Sequence, residues 1–423
     1  METIHRETFW LISPGYVVLL YSFAAISLGV FGFGFYRRFR LWQSGQKEKV
    51  SWHDVKANLR YFLDMAARQK KIKRDKLFGL MHRFVSYGFV VLFIGTCLVF
   101  IDYDLGIPIL RGYFYLVYEA VLDVFGLLFI AGLVIAMSVR AGKRRTRLRH
   151  TVMDQAFLWL LAVIGLGGYV LEGIRISLSQ SSYAIWSPVG YALSRLFAGN
   201  PLFAAESYPI WWMSHAVFSL LLLAIIPYTK LFHFLTAPIH ILFQPVKRTG
   251  KISLPYHLDE QSPDEWSNPA KARGVHKISD FTNWQLLGTD ACTECGRCDS
   301  QCPAHLSGKP LSPRSIVTKI RDHMQPNCEI GSFIQPAELQ SCTTCGACVE
   351  ACPVSINHID LILAMRRGLI QNMVMETEAE STLLKLEEQY NIWGKPWSER
   401  ADWSKDLQIP RLDTEDEKQK QGA

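Results

Sequence analysis

Cys292-Thr293-Glu294-Cys295-Gly296-Arg297-Cys298-Asp299-Ser300-Gln301-Cys302-Pro303 and Cys342-Thr343-Thr344-Cys345-Gly346-Ala347-Cys348-Val349-Glu350-Ala351-Cys352-Pro353 are two copies of one pattern, CxxCxxCxxxCP. A [4Fe-4S] cluster needs four thiolates around a small cube of iron and sulfide. A tight CxxCxxC loop supplies three and turns its amides toward the sulfides. In two-cluster ferredoxins the fourth comes from the last cysteine of the opposite run. The spacing therefore predicts one cluster on Cys292, Cys295, Cys298 and Cys352, and a second on Cys342, Cys345, Cys348 and Cys302. Zinc sites use paired CxxC or Cys/His sets and do not call for this duplication. Disulfides are disfavoured by the strain of a two-residue spacing and by a reducing compartment. Of the other two cysteines, Cys97 lies in an apolar run and reads as a packing residue, and Cys328, between the cysteine runs, reads as structural.

The 423 residues are long enough for two or three domains. A hydrophobic share of 49% beside 20% charged residues points to two unlike halves. Long apolar runs fill residues 1–245, and nine of the ten cysteines lie beyond Val246. Five runs can cross a bilayer as helices of about twenty residues: Pro14 to Tyr36, His82 to Ile101, Tyr115 to Val139, Asp154 to Ile176 and Trp211 to Leu235. The first run is too long for a signal peptide and lacks its flanks. Basic residues crowd Arg37 to Arg83, Arg140 to Arg149 and the stretch after Pro245, while the alternate loops are nearly free of them. The positive-inside rule explains the +7 net charge without nucleic acid, placing the N-terminus outside and the cysteine-rich half in the cytoplasm of a prokaryotic cell.

His215 and His233 stand eighteen residues apart in the fifth run. On one continuous helix that is five turns, hence one face and a rise of roughly 27 Å, the separation of two haems stacked across a bilayer. Interhelical hydrogen bonding is the plainer reading of any single membrane histidine. His82, opening the second run, lies at the depth of His233, and the two form the expected axial pair of an inner haem b. His215 has only His5 as a candidate mate on its side. His53, His150 and His240 read as surface or interfacial residues. Glu119, Asp123 and Glu172 either carry protons for a quinone or pair with Arg111 or Arg175.

The membrane half resembles the haem b subunit of respiratory nitrate reductase and the membrane cytochrome of heterodisulfide reductases, through Leu80-Met81-His82, His215, Pro227, His233 and Pro238. That resemblance implies a five-helix cytochrome b bundle with haems between the second and fifth helices. It departs at Leu92, where the nitrate reductase subunit has a histidine, so the outer haem is left with His215 alone. Ala291 to Cys298 and Ser341 to Val354 are similar to the ferredoxin-like subunit of heterodisulfide reductases. The order of the two parts resembles iron-sulfur membrane oxidoreductases that link electron-transfer flavoprotein or other cytoplasmic donors to quinone, menaquinone foremost. Those proteins continue into a cysteine-rich catalytic region, whereas no cysteine follows Cys352 here.

The sequence thus predicts an all-α membrane protein: residues 1–245 a transmembrane haem b domain, 246–278 a linker, 279–375 a helical ferredoxin domain with two [4Fe-4S] clusters, and 376–423 a partner-binding helix with a charged tail. Short helices are expected from Ser279 to Leu287, Pro313 to Met324, Asn357 to Leu369 and Glu376 to Tyr390. The expected function is electron transfer in a respiratory chain, between a cytoplasmic redox subunit and quinone. Neither a Gly-rich nucleotide loop nor a flavin signature follows the second cysteine run, so chemistry on the cytoplasmic substrate falls to a separate subunit. Trp393, Trp397 and Trp403 mark its expected docking segment. The competing reading is a membrane anchor for a ferredoxin, with no haem or quinone chemistry of its own.

Overall fold

The computed structural model describes residues 4–141, 148, 151–245, 274–371 and 377–407. Among these there is no strand, only three isolated backbone bridges. Five helices are long and apolar enough to cross a membrane: Pro14–Gln43, Lys76–Tyr103, Gly112–Ala141, Val152–Ser179 and Tyr208–Tyr228. Their starts follow local chemistry. Pro14 needs no amide partner at a first helical position. Asp75 and Thr151 cap the second and fourth spans by accepting from the amides of Phe78 and Asp154, at 3.3 and 3.2 Å. The second span therefore begins at Lys76, and His82 lies inside it rather than at its start.

The fifth span departs from the sequence expectation. Its α-helix ends at Ile225, a tight turn covers Ile226–Tyr228, Thr229 is extended, and a new helix runs from His233 to Phe243. Pro227 lacks the amide that would continue the ladder and its ring crowds the preceding turn. Thr229 then accepts from the amide of Leu231 at 3.3 Å and restarts the chain. No single axis joins His215 to His233, so the argument from five turns on one face does not hold.

Small residues set the approach of the second and third spans. A Cβ on Gly88 would lie 2.6 Å from the Phe129 side chain, and one on Gly132 would lie 2.8 Å from that of Phe84. Each helix lends the other a notch, the usual way apolar helices gain contact in lipid.

The cysteine-rich half is built from short helices around Ile316, Ile320, Ile334 and Leu339. Thr282, not Ser279, caps the helix Asn283–Asp290, in a reciprocal box with Gln285. Helices Pro313–Asp322, His358–Gln371 and Thr377–Gln389 occupy the other expected places. The expected connector, most of the basic segment from Arg140 to Arg149 and the charged tail lie outside the described residues. The connector's last residues, Val275 and Ile278, are already buried in this core.

That core continues without a break to Trp42, Ile226 and Phe232 of the membrane half. Trp42 stacks on Phe232 with ring centres 5.8 Å apart. Asp290, 4% exposed, accepts from Trp42 Nε1 at 2.7 Å and from both forks of the Arg38 guanidinium. The basic loop after the first span clamps the same seam. Arg297 donates to the carbonyls of Lys71 and Ile72 at 2.9 and 3.3 Å, Lys71 donates to that of Cys352 at 3.2 Å, and Arg74 pairs with Glu350 at 2.8 Å.

Removing one partner of a buried ion pair strands the other, at a cost of about 3–5 kcal/mol. Asp290→Ala should therefore lower the unfolding free energy of the cysteine-rich half, read from its urea transition, by about 3–5 kcal/mol and move the midpoint down accordingly, and Asp290→Asn by less, because the amide keeps an acceptor and the shape. An unshifted midpoint for Asp290→Ala would place the clamp elsewhere.

Candidate functional site

Both cysteine loops have the same backbone. Glu294 and Gly296 in the first, and Thr344 and Gly346 in the second, take left-handed conformations with φ of 57°, 71°, 55° and 82°. Alternating left-handed residues fold a CxxCxxC stretch back on itself, and glycine bears the conformation without strain. Cys302 and Cys352, each before a proline, are extended, the conformation a following proline favours. They leave their own loops and reach across.

Cys292, Cys295, Cys298 and Cys352 line one cavity, together with Arg314, Ile356 and His358. On the other side, Cys348 lies within electrostatic reach of Cys342, Cys302 and Cys345. Each set takes three thiols from one loop and the fourth from the other. Backbone amides already point at sulfur: Ile356 N–H to Cys352 Sγ and Thr344 N–H to Cys342 Sγ, both 3.4 Å. Among the described residues no three His, Cys, Asp or Glu converge closely enough for a single metal ion. The thiols surround a volume rather than a point, which suits a polynuclear cluster of soft-ligand iron better than one tetrahedral zinc.

Burial pushes the Cys292 and Cys348 thiols up to about 12 and Cys352 to about 11, and Cys298 higher still. With no cluster these thiols stay protonated at neutral pH, and metal binding must expel the protons. Cys345 is exposed. Burial would raise the Glu294 carboxyl too, but Arg321 at 2.7 Å and Lys230 at 3.2 Å hold it below the ordinary range.

Two histidines stand near this centre. His82 Nδ1 lies 3.1 Å from Gln69 Oε1, and Gln69 in turn donates to Ser86 Oγ at 2.7 Å. Gln69 is buried and held at φ 52°, a costly conformation for a side-chain-bearing residue that fixes its carboxamide toward the ring. His233 Nδ1 lies 2.6 Å from the Lys230 carbonyl. In both rings Nδ1 is engaged and Nε2 is left for a metal, the usual preparation of a ligating imidazole. His233 and Arg297 both lie within electrostatic reach of His82. The donor set fits an axial haem pair.

His215 faces the fourth span instead, where a Cβ on Gly167 would come 3.2 Å from its Nδ1. His5 is exposed, on a segment whose backbone bridges to Arg111. His53 is exposed as expected, and His150 lies outside the described residues. His240 is not a surface residue: it is buried with its ring against Gly288, where a Cβ would sit 2.8 Å from Cε1. Glu119 pairs with Arg175 and Tyr115, and Asp123 accepts from the amides of Val189 and Gly190 at 2.9 and 3.2 Å. Both carboxylates are thus tied into the bundle. Sequence reasoning missed Gln69, Lys230, Glu294, Arg297 and His358; only Glu294 and Arg297, inside the cysteine loop, were flagged by position.

Residues 107–249 match the nitrate reductase gamma subunit family, and residues 291–356 match the 4Fe-4S dicluster domain. The chain is therefore a fusion of a cytochrome b-like membrane domain to a ferredoxin domain. It is 28% identical to the EtfAB:quinone oxidoreductase of Syntrophomonas wolfei and 26% to the probable iron-sulfur-binding oxidoreductase FadF of Bacillus subtilis, over 92% and 89% of its length. It spans only 59% of either relative. It is also 23% identical, over 53% of its length and 90% of that protein's, to one subunit of the dihydromethanophenazine:CoB–CoM heterodisulfide reductase of Methanosarcina barkeri. No solved structure matches it. These features make it a membrane-associated protein with a cytochrome b-like domain and an iron-sulfur ferredoxin domain.

The thiolate is the reactive form of cysteine, and burial suppresses it. In the cluster-free folded chain at pH 8, a maleimide should therefore modify Cys345 at least about tenfold faster than Cys298 or Cys352. The gap should narrow for Cys352 as the pH approaches 11 and persist for Cys298. Peptide mass spectrometry reads the order, and equal rates would contradict the burial.

Proposed function

We propose that this chain carries electrons between a redox partner on the ferredoxin side and the quinone pool, through two [4Fe-4S] clusters and a haem b. The observation that carries this reading is the bridge made by Arg297. It lies between Cys295 and Cys298, and its guanidinium bonds the turn that leads into the span holding His82. Arg297 also lines the cavity of the first cysteine set and lies within electrostatic reach of His82, which favours electron passage between the two sites. The clusters and haem supply one-electron redox chemistry, while the protein fixes their spacing and tunes their potentials.

The first cluster is assigned to Cys292, Cys295, Cys298 and Cys352 and the second to Cys342, Cys345, Cys348 and Cys302. The second has an exposed ligand at Cys345, which suits it to exchange with the partner. His82 and His233 are assigned to the haem. The loop charges favour the ferredoxin half in the cytoplasm and the N-terminus outside. Trp393, Trp397 and Trp403 are 71%, 68% and 73% exposed, and such a group of solvent-facing aromatics favours a docking surface for the partner, with catalysis on its substrate elsewhere.

Optical and EPR spectra of the purified chain test the assignment. His82→Ala and His233→Ala should each remove the same low-spin b-type signal, whereas Cys302→Ser should alter the cluster held by Cys342, Cys345 and Cys348 and spare its sequence neighbours. A wild-type protein without reducible b-type bands would reduce the membrane half to an anchor. Gln69→Leu, which keeps the size but removes the acceptor, should shift the haem potential upward, because the His82 ring loses the hydrogen bond that raises its basicity as a ligand and so favours ferric iron. The midpoint potential measures this directly.

A further inference from the structure

A cavity of about 400 Å³ opens where the ferredoxin half meets the ends of the first, fourth and fifth spans. Its size is that of a small-molecule site. One wall is apolar, formed by Met153 and Phe157 of the fourth span and Tyr228 of the broken fifth. Met153 is 60% exposed and Tyr228 48%, both at the bundle end of the opening. The opposite wall holds Cys292, assigned above to the first cluster.

Between the walls runs a chain of ion pairs. Lys230 Nζ meets Asp154 at 3.1 Å and Glu294 at 3.2 Å, and Glu294 meets Arg321 at 2.7 Å. Lys230 Nζ lies within 3.2 Å of both Asp154 carboxylate oxygens and of Glu294 Oε2, so these ion pairs fix its ammonium at the cavity wall. The lining is neutral as a whole: Arg37, Arg38, Lys230 and Arg321 are matched by Asp154, Asp290, Glu294 and Asp322. A phosphate headgroup would find no net positive field there. A neutral molecule with carbonyl oxygens and a hydrophobic tail suits both the charge balance and the apolar wall.

We propose that this cavity seats the head group of a quinone, with its tail leaving past Met153 and Tyr228 into the bilayer. This rests on the reading of quinone as electron partner and adds where it binds. There the quinone would take two electrons, one at a time, from the electron path assigned above, of whose ligands Cys292 lines the cavity, and two protons from the aqueous side, giving quinol. Quinol leaves by the route of entry, and the reverse sequence oxidises it.

A photoreactive azido-naphthoquinone with a short isoprenoid tail tests the site in the full-length chain in liposomes. Labelling should fall on peptides containing Met153 or Tyr228 and be displaced by unlabelled naphthoquinone but not by cardiolipin. Met153→Trp, which obstructs the opening, should cut that labelling at least tenfold with the optical and EPR spectra unchanged, and Lys230→Gln should weaken it. Saturable labelling only near His215, or undiminished labelling in Met153→Trp, would overturn this location and leave quinone as the partner. Displacement by cardiolipin alone would make the cavity a lipid site and overturn the proposal. No displaceable labelling anywhere would remove the quinone reading itself.

Discussion

The relation between the two halves of this protein depends on one buried carboxylate. Asp290 ends a helix of the ferredoxin half two residues before Cys292, and it gathers Arg38 and Trp42 from the end of the first span. A carboxylate so enclosed is tolerable only because its lone pairs are filled by a guanidinium and an indole N–H. Because Asp290 is so near the first cysteine, the contact that seats the domain also fixes the register of the cysteine loop against the membrane. Arg297, Lys71 and Arg74 repeat the device on the other flank with backbone carbonyls and Glu350. The basic loop after the first span thus serves docking, a task that a charge count does not reveal.

What the sequence made legible was local. The cysteine runs could be read because their spacing is the geometry: a left-handed residue at Glu294 and Thr344, a glycine at Gly296 and Gly346, and a proline after Cys302 and Cys352 recur at fixed offsets. The spans could be read because hydropathy sums over twenty residues and forgives local detail. That forgiveness is why the break in the fifth span stays hidden. Pro227 and Thr229 interrupt the ladder without lowering the apolar content, so periodicity counts through the break.

Other features depended on distant partners. His240 and Gly288 lie far apart in the chain, and nothing near His240 announces its burial. The attachment of His82 to Gln69 relies on a left-handed backbone at a glutamine, which composition does not signal. Glu119 pairs with Arg175, one of the two partners the sequence offered, whereas the amides of Val189 and Gly190 that hold Asp123 come from a later segment that nothing near Asp123 announces.

The interruption at Thr229 has a consequence for how the molecule is made. His82 belongs to the second span, but His233 opens a separate helix, His233–Phe243, whose neighbours are the surface helix Trp52–Phe62 and the helix Asn283–Asp290. Thr236, on that same helix, donates to the carbonyl of Asp290 at 3.2 Å. The two rings are therefore carried by bodies that come to rest at different times during synthesis. The second span can be inserted in the bilayer long before Asp290 is translated, whereas the support for His233 arrives only with Asp290. The seating of the helix that carries His233 thus depends on contacts with the ferredoxin half, which a partly translated chain does not yet have.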